Sequence, residues 1–138
     1  MKITHVSLYV RNQKEALQWF ADNLGFVKAT DMPMSETARW VTMRLPDQPE
    51  LEVVLEDEPM ANGAEMAADL HSRVGKSSTF VFEVSDVRQL VSDLKQKGVT
   101  IGMEPTELPW GIQAMISDPY GNKFVLSQAP EGGYPTGE

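Results

Sequence analysis

The second half of this chain repeats the first, and that feature limits its fold more than any other. Thr4-His5-Val6-Ser7-Leu8-Tyr9-Val10 alternates side chains as a half-buried strand does, and Ser78-Thr79-Phe80-Val81-Phe82-Glu83-Val84 does so again 74 positions later. Each strand runs into the same kind of helix start, Asn12 with Glu15 three residues on and Asp86 with Gln89 three residues on. A short oxygen-bearing side chain followed by Glu or Gln at that distance can satisfy free backbone N–H groups at both places, as in a capping box. The helices carry matching apolar stripes, Ala16, Leu17, Phe20 and Leu24 in one, Val87, Leu90, Val91 and Leu94 in the other. Gly25 and Gly98 supply the left-handed residue that commonly ends a helix.

Three extended segments follow each helix. In the first half they are Phe26 to Thr30, Ala38 to Leu45 and Glu50 to Leu55; in the second, Thr100 to Met103, Ile112 to Ile116 and Lys123 to Ser127. The offset here reads as 73, which pairs Pro46 with Pro119, Leu51 with Phe124 and Val53 with Leu126. Between the halves, Pro59, Gly63 and Gly75 surround a short helical stretch, Ala64 to Val74. The expected organisation is therefore a first βαβββ module over residues 1–56, a linker with a short helix over 57–76, a second module over 77–128 and a flexible tail over 129–138, as one structural domain. The fold class is α+β: two tandem modules whose curved mixed sheets enclose a shared cleft. Alternation turns Val6, Leu8 and Val10 toward the helix and His5, Ser7 and Tyr9 toward the cleft, with Thr79, Val81 and Glu83 on the matching face of the second module.

Composition narrows the function. The chain has no cysteine, which removes disulfides, thiolate metal sites and cysteine nucleophiles, so any metal must be held by nitrogen and oxygen. The net charge of −8 repels phosphate backbones and anionic lipid, and no Lys/Arg cluster offsets it locally, so neither nucleic acid nor membrane is an expected partner. The acidic run Asp47, Glu50, Glu52, Glu56, Asp57 and Glu58 either favours a cationic ligand or is solvated at a strand end. Apolar runs such as Val53 to Leu55 are far shorter than a membrane helix, and the first residues lack the apolar core of a signal peptide, so the expected location is cytoplasmic.

His5 opening the first strand, Leu24-Gly25-Phe26 after the first helix, the cap at Asp86, and Pro109-Trp110-Gly111 followed by Asp118-Pro119-Tyr120-Gly121-Asn122 together resemble the vicinal oxygen chelate superfamily. That superfamily includes glyoxalase I, extradiol dioxygenases and bleomycin-resistance proteins, and the resemblance covers residues 3 to 128. It implies metal ligands on the first and fourth strands of each module, usually His or Glu. Carried over, those positions are His5 and Glu52 in the first module and Thr79 and Val125 in the second, of which the last two are not ligand-like. Catalytic zinc normally has three protein ligands and non-haem iron a His-His-carboxylate triad, so the site reads as degenerate and the expectation is no cofactor. The alternative is a divalent metal, Zn, Ni, Mn or Fe.

His5 and Glu52 are the candidate catalytic residues, as a base and its orienting partner for proton transfer next to a carbonyl, or else a structural pair. Tyr9, Trp40, Thr79 and Trp110 are candidate pocket residues; Trp110 is either a stacking surface for a flat ligand or a plug in its own module. Arg39 and Arg44 flank the third strand and either can hold an anion, while Trp19 reads as core or interface and His71 as surface. The expected function is small-molecule binding on a degenerate metal site, with metal-free proton transfer as its catalytic form. The rivals are a metal-dependent lyase, isomerase or dioxygenase, and a drug-sequestering resistance protein. A homodimer is expected because swapping identical halves is cheap.

Overall fold

A computed structural model describes residues 1–134, 136 and 137. The chain divides into two compact units, Met1–Ser77 and the remainder from Ser78. Each is built as β-α-β-β-β, giving two four-stranded mixed sheets and an α+β class, as the repeat requires.

In the first unit β1 (His5–Tyr9) leads to α1 (Gln13–Leu24), β2 (Val27–Pro33), β3 (Arg39–Arg44) and β4 (Glu52–Glu56). The sheet order is β1-β4-β3-β2, with β1 parallel to β4 and the other neighbours antiparallel. The Asn12 side chain accepts from the Glu15 backbone N–H at 2.9 Å, and Gly25 ends the helix at φ 74°. Leu8, Met43, Val53 and Leu55 on the sheet are buried, as are Ala16 and Phe20 of the helix. Phe20 meets Phe26 edge-on at 5.6 Å between ring centroids, which fixes the turn out of the helix.

The linker helix, α2 (Ala64–Arg73), follows a 3-10 turn at Glu58–Met60. It is part of the first unit, and the segment after it is tied down: the Tyr9 N–H donates to Ser77 Oγ at 3.0 Å. The Arg73 guanidinium stands 5.5 Å above the Tyr9 ring.

The second unit holds β5 (Phe80–Glu83), α3 (Val87–Gln96), β6 (Thr100–Leu108), β7 (Gly111–Ser117) and β8 (Lys123–Gln128), in the order β5-β8-β7-β6. Asp86 caps α3 by accepting from the Gln89 N–H at 3.0 Å. Val87, Val91 and Leu94 are buried, as are Ala114, Ile116, Phe124 and Leu126. β6 runs past Met103, where the sequence pattern ends it, to Leu108. Pro105 is tolerated because β6 is an edge strand and its register shifts between Met103 and Thr106. At Gly111 (φ 130°) a Cβ would collide with the Gln128 carbonyl oxygen, so the hairpin requires glycine there.

The expected offset of 73 holds for the third strands and fails for the fourth. Thr42 faces Val54 as Met115 faces Val125, so Thr42 matches Met115 but Val54 matches Val125, 71 positions on. The connection between β7 and β8 is two residues shorter than that between β3 and β4. It closes on Asp118, whose Oδ1 accepts from the Tyr120 and Asn122 N–H groups, both at 2.9 Å, and whose Oδ2 accepts from Asn122 Nδ2 at 2.8 Å. A shift of two leaves every side chain on its expected face and moves each cross-strand partner by one step. From the tail, the Tyr134 hydroxyl lies 2.6 Å from Ser127 Oγ.

Candidate functional site

The sheet of the first unit carries its chemistry on the face that bears His5. In β1 that face bears His5, Ser7 and Tyr9, and pairing aligns them with Glu52, Val54 and Glu56 of β4. On β3, Thr42 lies across from Val54. Alternation then puts Trp40 and Arg44 beside it on the same face.

His5 and Glu52 are direct cross-strand neighbours, with Nε2 and Oε1 3.9 Å apart. That is too long for a hydrogen bond, and with the histidine side chain 41% exposed it is a screened pair worth little to stability. The other ring nitrogen, Nδ1, is 2.9 Å from Thr4 Oγ1. If the hydroxyl donates to a bare Nδ1, the ring proton sits on Nε2, the nitrogen nearer Glu52.

Thr42 holds Glu52. Its hydroxyl donates to Glu52 Oε1 at 2.5 Å and accepts from the Thr30 N–H at 3.0 Å. Thr42 is fully buried, so a backbone donor, a hydroxyl and a carboxylate form a short chain ending at the site. Sequence patterning missed this residue, because a threonine between Val41 and Met43 looks like an ordinary strand position. Trp40 leans over the same face, with its ring centroid 6.0 Å from that of His5 and the planes tilted by 55°. At the far end Ser7 donates to Glu56 at 3.2 Å.

The two arginines flanking β3 differ. Arg39 bonds Asp31 at 2.7 Å, and that bond, together with the charges of Arg39 and Lys28, holds the Asp31 carboxyl below its ordinary range against a smaller opposing effect of burial. Arg44 Nε is buried and, among the described residues, has no hydrogen-bond partner. Asp57, just past β4, is also buried with Oδ1 unpartnered, and burial pushes its carboxyl up against the weaker pull of the Asp57 and Met60 backbone.

The remaining candidates lie in the second unit. Thr79 directly precedes β5 and is exposed; Trp110, 48% exposed, sits in the turn between β6 and β7. Phe80 pairs with Phe124, so Thr79 lies at the Lys123 end of the sheet, whereas Trp110 lies at the Gln128 end. The length of β8 separates them. Val125 faces Val81 rather than Thr79, so the position that matches Glu52 is Lys123 and not the expected Val125. Of the other expectations, Trp19 is half-buried and edge-on to Phe20, and His71 is exposed, 3.5 Å from Glu58.

The family model for the glyoxalase/bleomycin resistance protein/dioxygenase superfamily matches residues 2–126. The chain belongs to this superfamily. It is 35% identical over 129 residues to the uncharacterized protein YurT of Bacillus subtilis (strain 168), covering 93% of this chain and 99% of that protein. Among solved structures it resembles UcmS2 (TM-score 0.79, 32% identity, 92% of this chain and 97% of that one). It also resembles TnmS3, an antibiotic binding protein from Streptomyces sp. CB03234 (TM-score 0.71, 26% identity, 94% and 97%).

A divalent metal, which membership brings into question, does not suit the donors in this chain. His5 and Glu52 are two ligands, Glu52 Oε1 is already bonded to Thr42, and the positions that the observed register gives for the other half of the shell are Thr79 and Lys123, not Val125 as expected, a neutral hydroxyl and a cation. Among the described residues no three or more His, Cys, Asp or Glu gather into a group that could hold an ion. Tight binding needs at least a third protein ligand. Among the described residues, no helix is long and apolar enough to cross a membrane.

Proposed function

We propose that this superfamily member binds a small organic molecule on the His5 face of the first unit without using a metal. The observation that carries the reading is the Trp40–His5–Glu52 grouping, an aromatic wall next to an imidazole and a carboxylate that is fixed by Thr42. An apolar ring beside a few oriented polar groups is how small-molecule sites combine affinity with orientation. Similarity to an antibiotic binding protein supports the same reading and leaves drug sequestration as one form of it. The proposal includes a cytoplasmic homodimer, which sedimentation of the purified protein measures.

The test is a ligand screen on a Trp19→Phe, Trp110→Phe variant, in which Trp40 is the remaining tryptophan. Ligands are expected to change Trp40 emission and to bind at least tenfold more weakly to His5→Ala. A ligand that binds without altering Trp40 emission would put the site elsewhere. Elemental analysis after incubation with zinc, nickel, manganese and ferrous iron tests the metal-dependent rival: stoichiometric metal lost on His5→Ala would replace the present reading.

A catalytic form of this reading is proton transfer next to a carbonyl, in which the ring nitrogen of His5 that carries no proton takes it up and Glu52, 3.9 Å from Nε2, balances the resulting imidazolium. Its signature is exchange of an α-proton of a bound carbonyl compound with deuterated water, lost in His5→Ala. Exchange at equal rates in both proteins sinks that form and leaves binding intact.

A further inference from the structure

We infer that the Arg44 guanidinium, through the Nε–H side that has no partner among the described residues, is the recognition group for an oxyanion, a carboxylate or phenolate borne by a flat aromatic ligand on the His5 face. The inference rests on the small-molecule reading above and names the chemistry that site selects. Arg44 ends β3 two residues from Thr42, so its side chain leaves the sheet on the face that carries Thr42, Glu52 and His5. Its Nε is buried and has no hydrogen-bond partner among the described residues.

The other arginines with recorded ion pairs show what is unusual about this one. Arg39 bonds Asp31 at 2.7 Å, Arg73 bonds Asp69 at 3.0 Å and Arg88 bonds Glu107 at 3.2 Å. Those pairs lie on exposed surface, where water would solvate the guanidinium anyway. The donor withdrawn from water is the one left without a partner. A carboxylate on the same face, Glu52, is bonded through Oε1 to the Thr42 hydroxyl, although a guanidinium makes a stronger bond to carboxylate than a hydroxyl does. A buried donor with no partner lowers stability, and its full hydrogen-bonding capacity remains for a group that arrives from outside.

The rest of the face specifies what carries that group. Trp40 and His5 present rings 6.0 Å apart and tilted by 55°, a surface for one flat ring system. The chain carries a net charge of −8, so an anion is disfavoured unless a cation at the site offsets the repulsion. Arg44 supplies it, with the planar fork that suits a two-oxygen acid. Glu52, Glu56 and His5 share this face; the Glu52 and Glu56 carboxylates accept from Thr42 and Ser7 through Oε1, and among the described residues neither meets the Arg44 Nε–H.

Matched pairs decide the point: 1-naphthoate against 1-naphthamide, and salicylate against salicylamide, each titrated into the full-length protein by saturation-transfer NMR. The Arg44 Nε–H resonance is followed in a 15N spectrum. The acids are expected to bind at least tenfold more tightly than their amides and to shift the Arg44 Nε–H signal. Arg44→Gln is expected to abolish the preference, while Arg39→Gln leaves it unchanged. Equal binding of acid and amide overturns this inference and leaves small-molecule binding standing. Binding of neither member of either pair overturns the inference and counts against the site itself. Arg44→Met gives a readout without ligand: its melting temperature should equal or exceed that of the parent. A large fall would show that the guanidinium has a structural partner and would also overturn the inference.

Discussion

The two units share one topology and put different side chains on equivalent faces. On the first unit the face holding His5 is polar, with Glu52, Glu56, Thr42 and Ser7 linked by hydrogen bonds and Arg44 beside them. On the second, Val81, Val125 and Met115 match Ser7, Val54 and Thr42, while Lys123, Ser127 and Gln113 match Glu52, Glu56 and Trp40, with Gln113 and Ser127 3.3 Å apart. The connections differ in the reverse sense. The β3–β4 connection in the first unit is exposed at Asp47, while the β7–β8 turn in the second is built around the buried carboxylate of Asp118. The buried carboxylate thus organises a turn in the second unit, whereas in the first the carboxylates of Glu52 and Glu56 are bonded by hydroxyls on the sheet face.

That contrast is best broken at the turns. Asp118→Ala would leave two backbone N–H groups and the Asn122 amide without their acceptor, and it is expected to lower stability by on the order of 3 kcal/mol in urea unfolding. Asp47→Ala, on an exposed loop, should change it by less than about 0.5 kcal/mol. Comparable losses would mean that both turns are structural and that the division between the units is wrong.

A smaller effect sharpens the comparison at the faces. Thr42→Val keeps the side-chain shape while removing the hydroxyl between the Thr30 N–H and Glu52, at an expected cost of about 1.5 kcal/mol and a looser Glu52. The matching change in the second unit, Met115→Leu, swaps one apolar side chain for another of similar volume and should cost less than about 1 kcal/mol. Both unfolding midpoints can be read from one urea series, and a larger loss for Met115→Leu would place the critical polar chain elsewhere.

The smallest effect has a pH signature. Asp57 and Gln128 occupy matching positions just after Glu56 and Ser127, yet Gln128 Oε1 accepts from the Val87 N–H at 3.0 Å while Asp57 Oδ1 has no partner among the described residues. Burial raises the Asp57 carboxyl above its ordinary range. The folded state therefore favours the protonated form: the group's stabilising contribution is complete below the ordinary carboxylate value, near ~4, and is lost as pH rises through the elevated one. Asp57→Asn is expected to stabilise the protein by roughly 1 kcal/mol at pH 7, with the gain fading toward pH 4. A gain that is independent of pH would mean that the ionised carboxylate is not what costs stability.

The architecture was legible because its signals are local. Alternation over His5 to Tyr9, the caps at Asn12 and Asp86 and the apolar stripes of α1 and α3 depend on residues a few positions apart. The same patterning put His5 and Glu52 on one face, while the family was legible only through resemblance in particular stretches such as Leu24-Gly25-Phe26 and Asp118-Pro119-Tyr120-Gly121-Asn122. The strand extension past Pro105 escaped it, because proline is excluded only where a backbone donor is needed and an edge strand has one side without such a need.

What the chain settled by itself was which residues form strands, which face each side chain takes and where the helices begin. Only the tertiary structure decided cross-strand partners, because register depends on how long connections close and no local pattern records that. A connection shorter by two residues set Val125 against Val81, Thr42 came to hold Glu52 from ten positions away in sequence, and Arg44, indistinguishable from Arg39 in the sequence, was the one whose buried Nε found no partner among the described residues.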